Sequence, residues 1–237
     1  MATEGSPGKG RWAGWAALWF AVGFGLYLFL HSPFFAVHEV EVRGASLLSP
    51  QEVIALSGIA PGESLLRIDG ERIRRRLEED PRIGAARVRR IPPDRLVLEV
   101  DERVPVALLP YADGFLFVDE AGRLIAADRR SRPGLPVVTG VPLDRVGLHL
   151  PPPEHLVVAA DVAALMPPGL RAVAAEINAS NPDDLLLLTA DGLPIFLGEP
   201  VELERKLAVA ESLLPRAGEP VAAIDVRVPS VPTVRGF

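Results

Sequence analysis

Residues 13–30 form an unbroken run of 18 uncharged, mostly apolar residues near the start of a chain of otherwise globular composition. As a helix rising about 1.5 Å per residue, the run spans roughly 27 Å, close to the ~30 Å hydrocarbon core of a bilayer. The expected organisation is an arm at 1–12, a single transmembrane helix at 13–30, and a large block beyond it. Lys9 and Arg11 precede the run, and the first Lys or Arg after it is Arg43. That bias puts the N-terminus in the cytoplasm and the bulk outside. Trp12 and Trp15 at one end, and Phe34 and Phe35 at the other, suit the two membrane interfaces. The rival reading is a cleaved signal peptide, but the run is long for one and His31-Ser32-Pro33-Phe34 offers no small-x-small cleavage site. Ala13, Ala17, Ala21 and Gly25 recur at every fourth position. They form either a face that packs on a partner's membrane helix or the ordinary yield of an Ala-rich segment.

Composition narrows the function classes. The net charge is −6 and the pI about 5.3, which argues against nucleic acid as a partner of the whole chain. There is no cysteine, so disulfides, thiolate catalysis and Cys-based metal sites are excluded. Twenty-four prolines point to many short elements separated by stops.

The block after the apolar run reads first as a domain at 34–103. Residues 37–43 alternate, with Val40 and Val42 opposing Glu39, Glu41 and Arg43, as a strand requires. Ser49-Pro50-Gln51-Glu52 is a capping box with proline at the first helical position, and Gly58 stops that helix. A second helix starts at Asp69, with Ile68 and Ile73 at hydrophobic-staple spacing, and ends by Pro81. Strands at 83–91 and 95–103 follow, joined by a turn at 92–94. Strand, helix, helix, strand, strand is a three-stranded sheet backed by two helices. The domain carries nine closely spaced arginines (72, 74, 75, 76, 82, 87, 89, 90 and 95) but no aromatic between Phe35 and Tyr111. Stacking on nucleic-acid bases therefore has no platform. The arginines read as a solvated face, or as a surface for acidic partners or anionic headgroups.

The second domain, 104–237, holds expected strands at 115–118, 123–125, 135–139, 171–177, 185–189 and 193–197. Asp191-Gly192 turns between the last two. Helices are expected at 154–165 and 201–214, a loop at 216–220, and a final alternating strand at 221–228. Residues 185–188, four leucines in a row, predict a strand buried on both faces.

The ordered set Val37-His38-Glu39-Val40, Val42-Arg43-Gly44, Leu65-Leu66, Pro81, Val88-Arg89-Arg90, Pro93-Asp94, residues 96–100, Glu102-Arg103 and Pro105 resembles a POTRA domain of the kind found in the bacterial cell-division family FtsQ/DivIB. The second half is similar to the same family in GFLFVDEAGRLI, GLPVVTG, LGEPVELERKLAVAESLL and IDVRVPSVPTVR. Lys206-Leu207 and the strand Ile224-Asp225-Val226-Arg227 are the most telling pieces. At Val228 the chain departs from the family, whose members often carry an aromatic there.

The resemblance implies an α+β protein: one N-terminal transmembrane helix, a POTRA domain (β-α-α-β-β), and a mixed α/β domain with a mainly antiparallel sheet. It implies a non-enzymatic, single-pass inner-membrane scaffold at the division septum. Such a scaffold binds FtsB (DivIC)-like and FtsL-like partners and helps regulate septal peptidoglycan synthesis. No cofactor, nucleic acid or small-molecule substrate is expected; membrane lipid is. POTRA domains also serve outer-membrane assembly and secretion, but those chains end in a long β-barrel. An exported hydrolase on a membrane leash is the enzymatic alternative. Its residues are hard to find: His31, His38, His149 and His155 lack metal-pair spacing, and Asp119-Glu120 and Asp183-Asp184 are adjacent in turns.

Strand addition is the physics that suits a scaffold. The expected contact is the terminal strand 221–228 with 230–234 beside it: Ile224, Asp225, Val226, Arg227, Val228, Ser230, Val231, Thr233 and Val234. Few residues follow Val228, so little is expected to cover that edge. An ordinary core strand is the alternative.

Overall fold

The computed structural model describes residues 9–60, 62–214 and 221–236. The side chains of residues 9–11, 13, 14 and 145 lie outside that description, as does the expected loop at 216–220. The chain divides into two compact units, Met1–Glu102 and Arg103–Phe237.

The first unit begins with helix α1 (Lys9–Leu30). Every large apolar side chain described on it is at least 40% exposed, so the helix shows hydrocarbon in all directions. Among the described residues, no helix is long and apolar enough to cross a membrane. Side chains of α1 are described without a break only over 15–30, two residues short of the apolar run.

After a turn at Pro33–Phe35 come β1 (Glu39–Arg43), α2 (Pro50–Ser57), α3 (Gly70–Glu78), β2 (Ile83–Ile91) and β3 (Arg95–Glu102). β3 is the middle strand, parallel to β1 and antiparallel to β2. The local signals act as the sequence reading requires. The Ser49 hydroxyl accepts from the Glu52 N–H, and the Glu52 carboxylate accepts from the Ser49 N–H. Gly58 takes the left-handed conformation that ends α2. The Asp69 carboxylate accepts from the N–H groups of Glu71 and Arg72 and so caps α3. Ile68 and Ile73 are buried with Leu77 against Ile83, Leu96, Leu98 and Val100.

The second unit is a nine-stranded sheet with helices α4 (Glu154–Leu165), α5 (Pro168–Val173) and α6 (Leu203–Ser212). Its strands are β4 (Ala107–Tyr111), β5 (Gly114–Val118), β6 (Leu124–Asp128), β7 (Val137–Thr139), β8 (Ala174–Asn178), β9 (Leu185–Thr189), β10 (Pro194–Gly198), β11 (Val221–Asp225) and β12 (Thr233–Gly236). Their spatial order is β12-β11-β10-β9-β8-β7-β4-β5-β6. Five of the eight pairings are antiparallel; β4–β7, β7–β8 and β10–β11 are parallel. The larger core lies between sheet and helices and gathers Leu156, Val162, Leu170, Ile177, Leu187, Ile195, Leu207 and Ile224. A small second cluster, Leu108, Phe117 and Ile125, is separate from it, and Arg132 stacks 5.1 Å from the Phe117 ring centroid.

Four expectations change. Residues 171–177 are not one strand: Pro167 and Pro168 start α5, and the strand begins only at Ala174. The leucines of β9 are not buried on both faces. Leu185 and Leu187 are buried whereas Leu186 and Leu188 are half-buried, because helices cover one face only. β4 is not among the expected strands; it holds Pro110, a residue type that argues against a strand, and its neighbour β7 meets it in register only at Leu108. The final strand stops at Asp225, and its outer side is covered by β12.

Candidate partner-binding edge

The C-terminal corner is assembled by a β-α-β unit. β10 leads through α6 to β11, which lies parallel to β10. Leu203, Leu207 and Ala210 of α6 are buried in the same core as Ile224 and Val226. Beyond the strand, the Val226 N–H still donates to the Phe196 carbonyl at 2.9 Å. Arg227 then turns back. Its backbone N–H and guanidinium donate to the Asp225 carboxylate, the closest contact being 2.5 Å, and the guanidinium lies 5.9 Å from the Phe196 ring centroid. These bonds hold Asp225 below the usual carboxylate range, against some opposing burial.

Pro229 and Pro232 interrupt pairing, and the Val231 N–H closes a turn on the Val228 carbonyl. The chain then re-enters the sheet as β12, antiparallel to β11, pairing Thr233 with Asp225 and Val234 with Ile224. Residues opposite each other in an antiparallel pair share a face. Val234 therefore extends the buried face of Ile224 outward, yet is 43% exposed. Val228 is 57% and Val231 72% exposed nearby in sequence. Among the described residues, no strand pairs with the outer side of β12.

The expected contact residues thus separate. Ile224 and Val226 are core. Asp225 is tied to Arg227. Val228, Ser230, Val231, Thr233 and Val234 are exposed. Arg235, which the expected contact did not include, is exposed beside them. The signal available was the pattern of two β-branched runs separated by a Pro-Ser-Val-Pro turn.

Beside this corner lies a cleft of about 430 Å³ lined by Asp183, Asp184, Glu199, Glu202, Lys206 and Arg227, among others. Lys206 is buried and donates to the Glu199 carbonyl at 2.7 Å. Burial pushes its ammonium pKa down, opposed by the Glu199 and Glu202 carboxylates. The other titratable candidates are dispersed. Asp119 accepts from Arg103 and from the Ala121 and Arg123 N–H groups, which makes it a turn clamp. His155 Nδ1 lies 2.9 Å from the Ala179 carbonyl oxygen. Among the described residues, no three His, Asp or Glu side chains are grouped to hold a metal ion. On α1, Ala17, Ala21 and Gly25 are exposed, and nothing lies within 4 Å of a Cβ built at Gly25. The Ala13 side chain lies outside the described residues.

Two family models match this chain. The POTRA domain, FtsQ-type, covers residues 35–103, and the C-terminal domain of cell division protein FtsQ/DivIB covers 107–227. The cell division protein FtsQ of Mycolicibacterium smegmatis is 30% identical over 223 residues, 93% of this chain and 64% of that one. The FtsQ of Syntrophotalea carbinolica is 37% identical over 111 residues, 46% of this chain and 39% of that one. The chain therefore spans less than two thirds of the length of these relatives. The extracytoplasmic domain of the cell division protein DivIB from Geobacillus stearothermophilus shares 18% identity, covering 48% of this chain and 90% of that one. Its TM-score of 0.34 is too low to carry weight. The matched C-terminal region alone takes in half of the sequence and contains the whole β10-α6-β11 corner, and on that ground the chain belongs to the FtsQ/DivIB family of bacterial cell-division proteins.

Proposed function

We propose that this protein is a non-enzymatic scaffold of the division machinery, held in the inner membrane by α1 with its N-terminus in the cytoplasm. It binds FtsB-like and FtsL-like partners outside the cytoplasm and helps regulate septal peptidoglycan synthesis. The observation that carries the reading is β12: a short outermost strand whose apolar Val234 continues a buried face into solvent. An added strand would satisfy its outer N–H and C=O groups and cover Val234. The all-round apolar surface of α1, continuous in sequence with the uncharged run, supports the membrane anchor. The exposed Ala17, Ala21 and Gly25 leave room for a partner's helix against it.

The test is titration of the full chain, in lipid nanodiscs, with the extracytoplasmic part of the cognate FtsB-like protein. Val234→Asp is expected to weaken binding about tenfold, or ~1.4 kcal/mol, with unchanged thermal stability. Val104→Asp, at a more exposed valine of the same unit, is expected to bind as the parent does. Equal binding by parent and Val234→Asp removes the edge from the account.

A further inference from the structure

Three segments meet at the end of the first unit's sheet where α1 enters it. Phe29, in the last turn of α1, has its ring centroid 5.7 Å from that of Phe34 and 5.3 Å from that of Phe35. The Leu65 N–H donates to the Phe35 carbonyl at 2.7 Å, and the Val37 N–H to the Glu63 carbonyl at 2.9 Å. The His38 N–H donates to the Asp94 carbonyl at 3.0 Å. Backbone hydrogen bonds therefore tie the 63–67 corner and the β2–β3 turn to the segment that leaves α1.

Their exposed side chains are of two kinds. Phe34, Leu66 and Ile91 are apolar groups between 42% and 56% exposed. Arg67 and Arg90 are exposed and form no ion pair among the described residues. The acids at this end are engaged. Glu39 pairs with Arg95 at 3.1 Å, Asp94 lies 3.8 Å from His38, and Asp69 caps α3. Glu63 is 3.9 Å from Arg72. What is left exposed at this end is three apolar side chains and two guanidinium groups that form no ion pair among the described residues.

We propose that this end of the first unit is a lipid-docking surface. Phe34, Phe35, Leu66 and Ile91 sit in the interfacial layer of the bilayer, and Arg67 and Arg90 contact anionic headgroups. The inference rests on the reading of α1 as a membrane span, and continuity with that span is what selects lipid as the occupant. If Phe29 lies at the hydrocarbon boundary, rings within 6 Å of its own lie in the interface, where aromatic groups are favoured. The guanidiniums then stand where an anionic surface attracts them and the surrounding leucine and isoleucine leave water. The consequence is a first unit held against the membrane, with its lower end unavailable to protein partners.

The native chain has no cysteine, so single labelling sites are clean. The full chain carrying Leu66→Cys, Asp101→Cys or Leu26→Cys is labelled with an environment-sensitive fluorophore. It is reconstituted in nanodiscs of phosphatidylglycerol and phosphatidylcholine containing spin-labelled lipid. The probe at 66 should be quenched severalfold more strongly by headgroup-labelled lipid than the probe at 101, which lies at the opposite end of β3. Adding Arg67→Glu and Arg90→Glu should reduce that quenching to the level found in phosphatidylcholine alone. Equal quenching at 66 and 101, with the probe at 26 quenched by acyl-chain label, overturns the docking surface and leaves the span. No quenching at 26 overturns the span and the docking surface together. Quenching at 66 unaffected by the double charge reversal contradicts the role of the arginines.

Discussion

On the three-stranded sheet, the strands at both rims turn charge toward the face that no helix covers. β1 presents Glu39, Glu41 and Arg43, and β2 presents Arg87 and Arg89, while Val40, Val42, Ala86 and Val88 point to the core. Most of these charges are locked: Glu39 to Arg95, Glu41 to Arg43, and Arg89 to Glu99. Val97 stands in register between Glu41 and Arg89 and is fully buried although it lies on this open face. The aliphatic stems of its charged neighbours shut it from water. The nine-stranded sheet ends differently. β12 has four residues, one of them charged, and a half-covered valine. A strand added to β1 or β2 would strip water from a lattice of paired charges, whereas one added to β12 would cover apolar surface. On the proposed reading, β12 is the edge that takes the partner, and the charged rims of the three-stranded sheet do not.

The largest effect expected from separating the two regions comes at Gly44. Its φ of +83° ends β1, and a Cβ there would stand 2.1 Å from the Val100 carbonyl oxygen. Gly44→Val should destabilise the first unit by at least about 3 kcal/mol. Hydrogen exchange read separately over the two units should show the second unaffected. Equal loss in both would mean that the sheets do not stabilise independently.

Glu102 gives a smaller, pH-dependent effect. Its carboxylate accepts from the N–H groups of Ser46, Leu47 and Leu48 and from the Ser46 hydroxyl, at 2.7–2.9 Å. Burial raises its pKa, and these four bonds together outweigh burial and leave it below the ordinary value of 4.5. A carboxylate depressed in the native state stabilises above its unfolded pKa and loses that contribution as pH falls through the native one. Glu102→Gln should therefore cost about 1–3 kcal/mol at neutral pH. The gap to the parent should narrow below pH 4.5, as followed by urea unfolding across pH. A gap that widens on acidification would contradict the clamp.

The smallest effect probes the guarded rim itself. Replacing Arg87 and Arg89 together by valine should give weak, concentration-dependent self-association, with pairing worth about 1 kcal/mol or less, detectable by sedimentation. A strictly monomeric variant would show that charge is not what closes that rim.

Much of this was legible because the local signals were strong and agreed with the tertiary packing. The Ser49 capping box, the Asp69 cap with Ile68 and Ile73, and the Asp191-Gly192 turn are short-range devices, and each sits where its spacing demands. α4 starts at Glu154 and ends at Leu165 as expected, since Pro153 and Pro167 bracket it. What failed depended on partners distant in sequence. β4 contains a proline that its position in the sheet tolerates. β9 contains four leucines whose burial is decided by helices from elsewhere. The alternation of residues 221–228 reads as one rim strand, but β11 stops at Asp225 and β12, which holds the expected Thr233 and Val234, pairs with its outer side after a turn between two prolines. Periodicity identifies a strand; it does not say which neighbour will lie on either side.

Hydrogen exchange of the full chain in nanodiscs, with and without the extracytoplasmic part of an FtsB-like partner, tests the central claim most directly. The account predicts that amides within 233–236 slow at least about tenfold on binding while those of β1 and β2 are unchanged. Protection at β1 or β2, with none at 233–236, would contradict it.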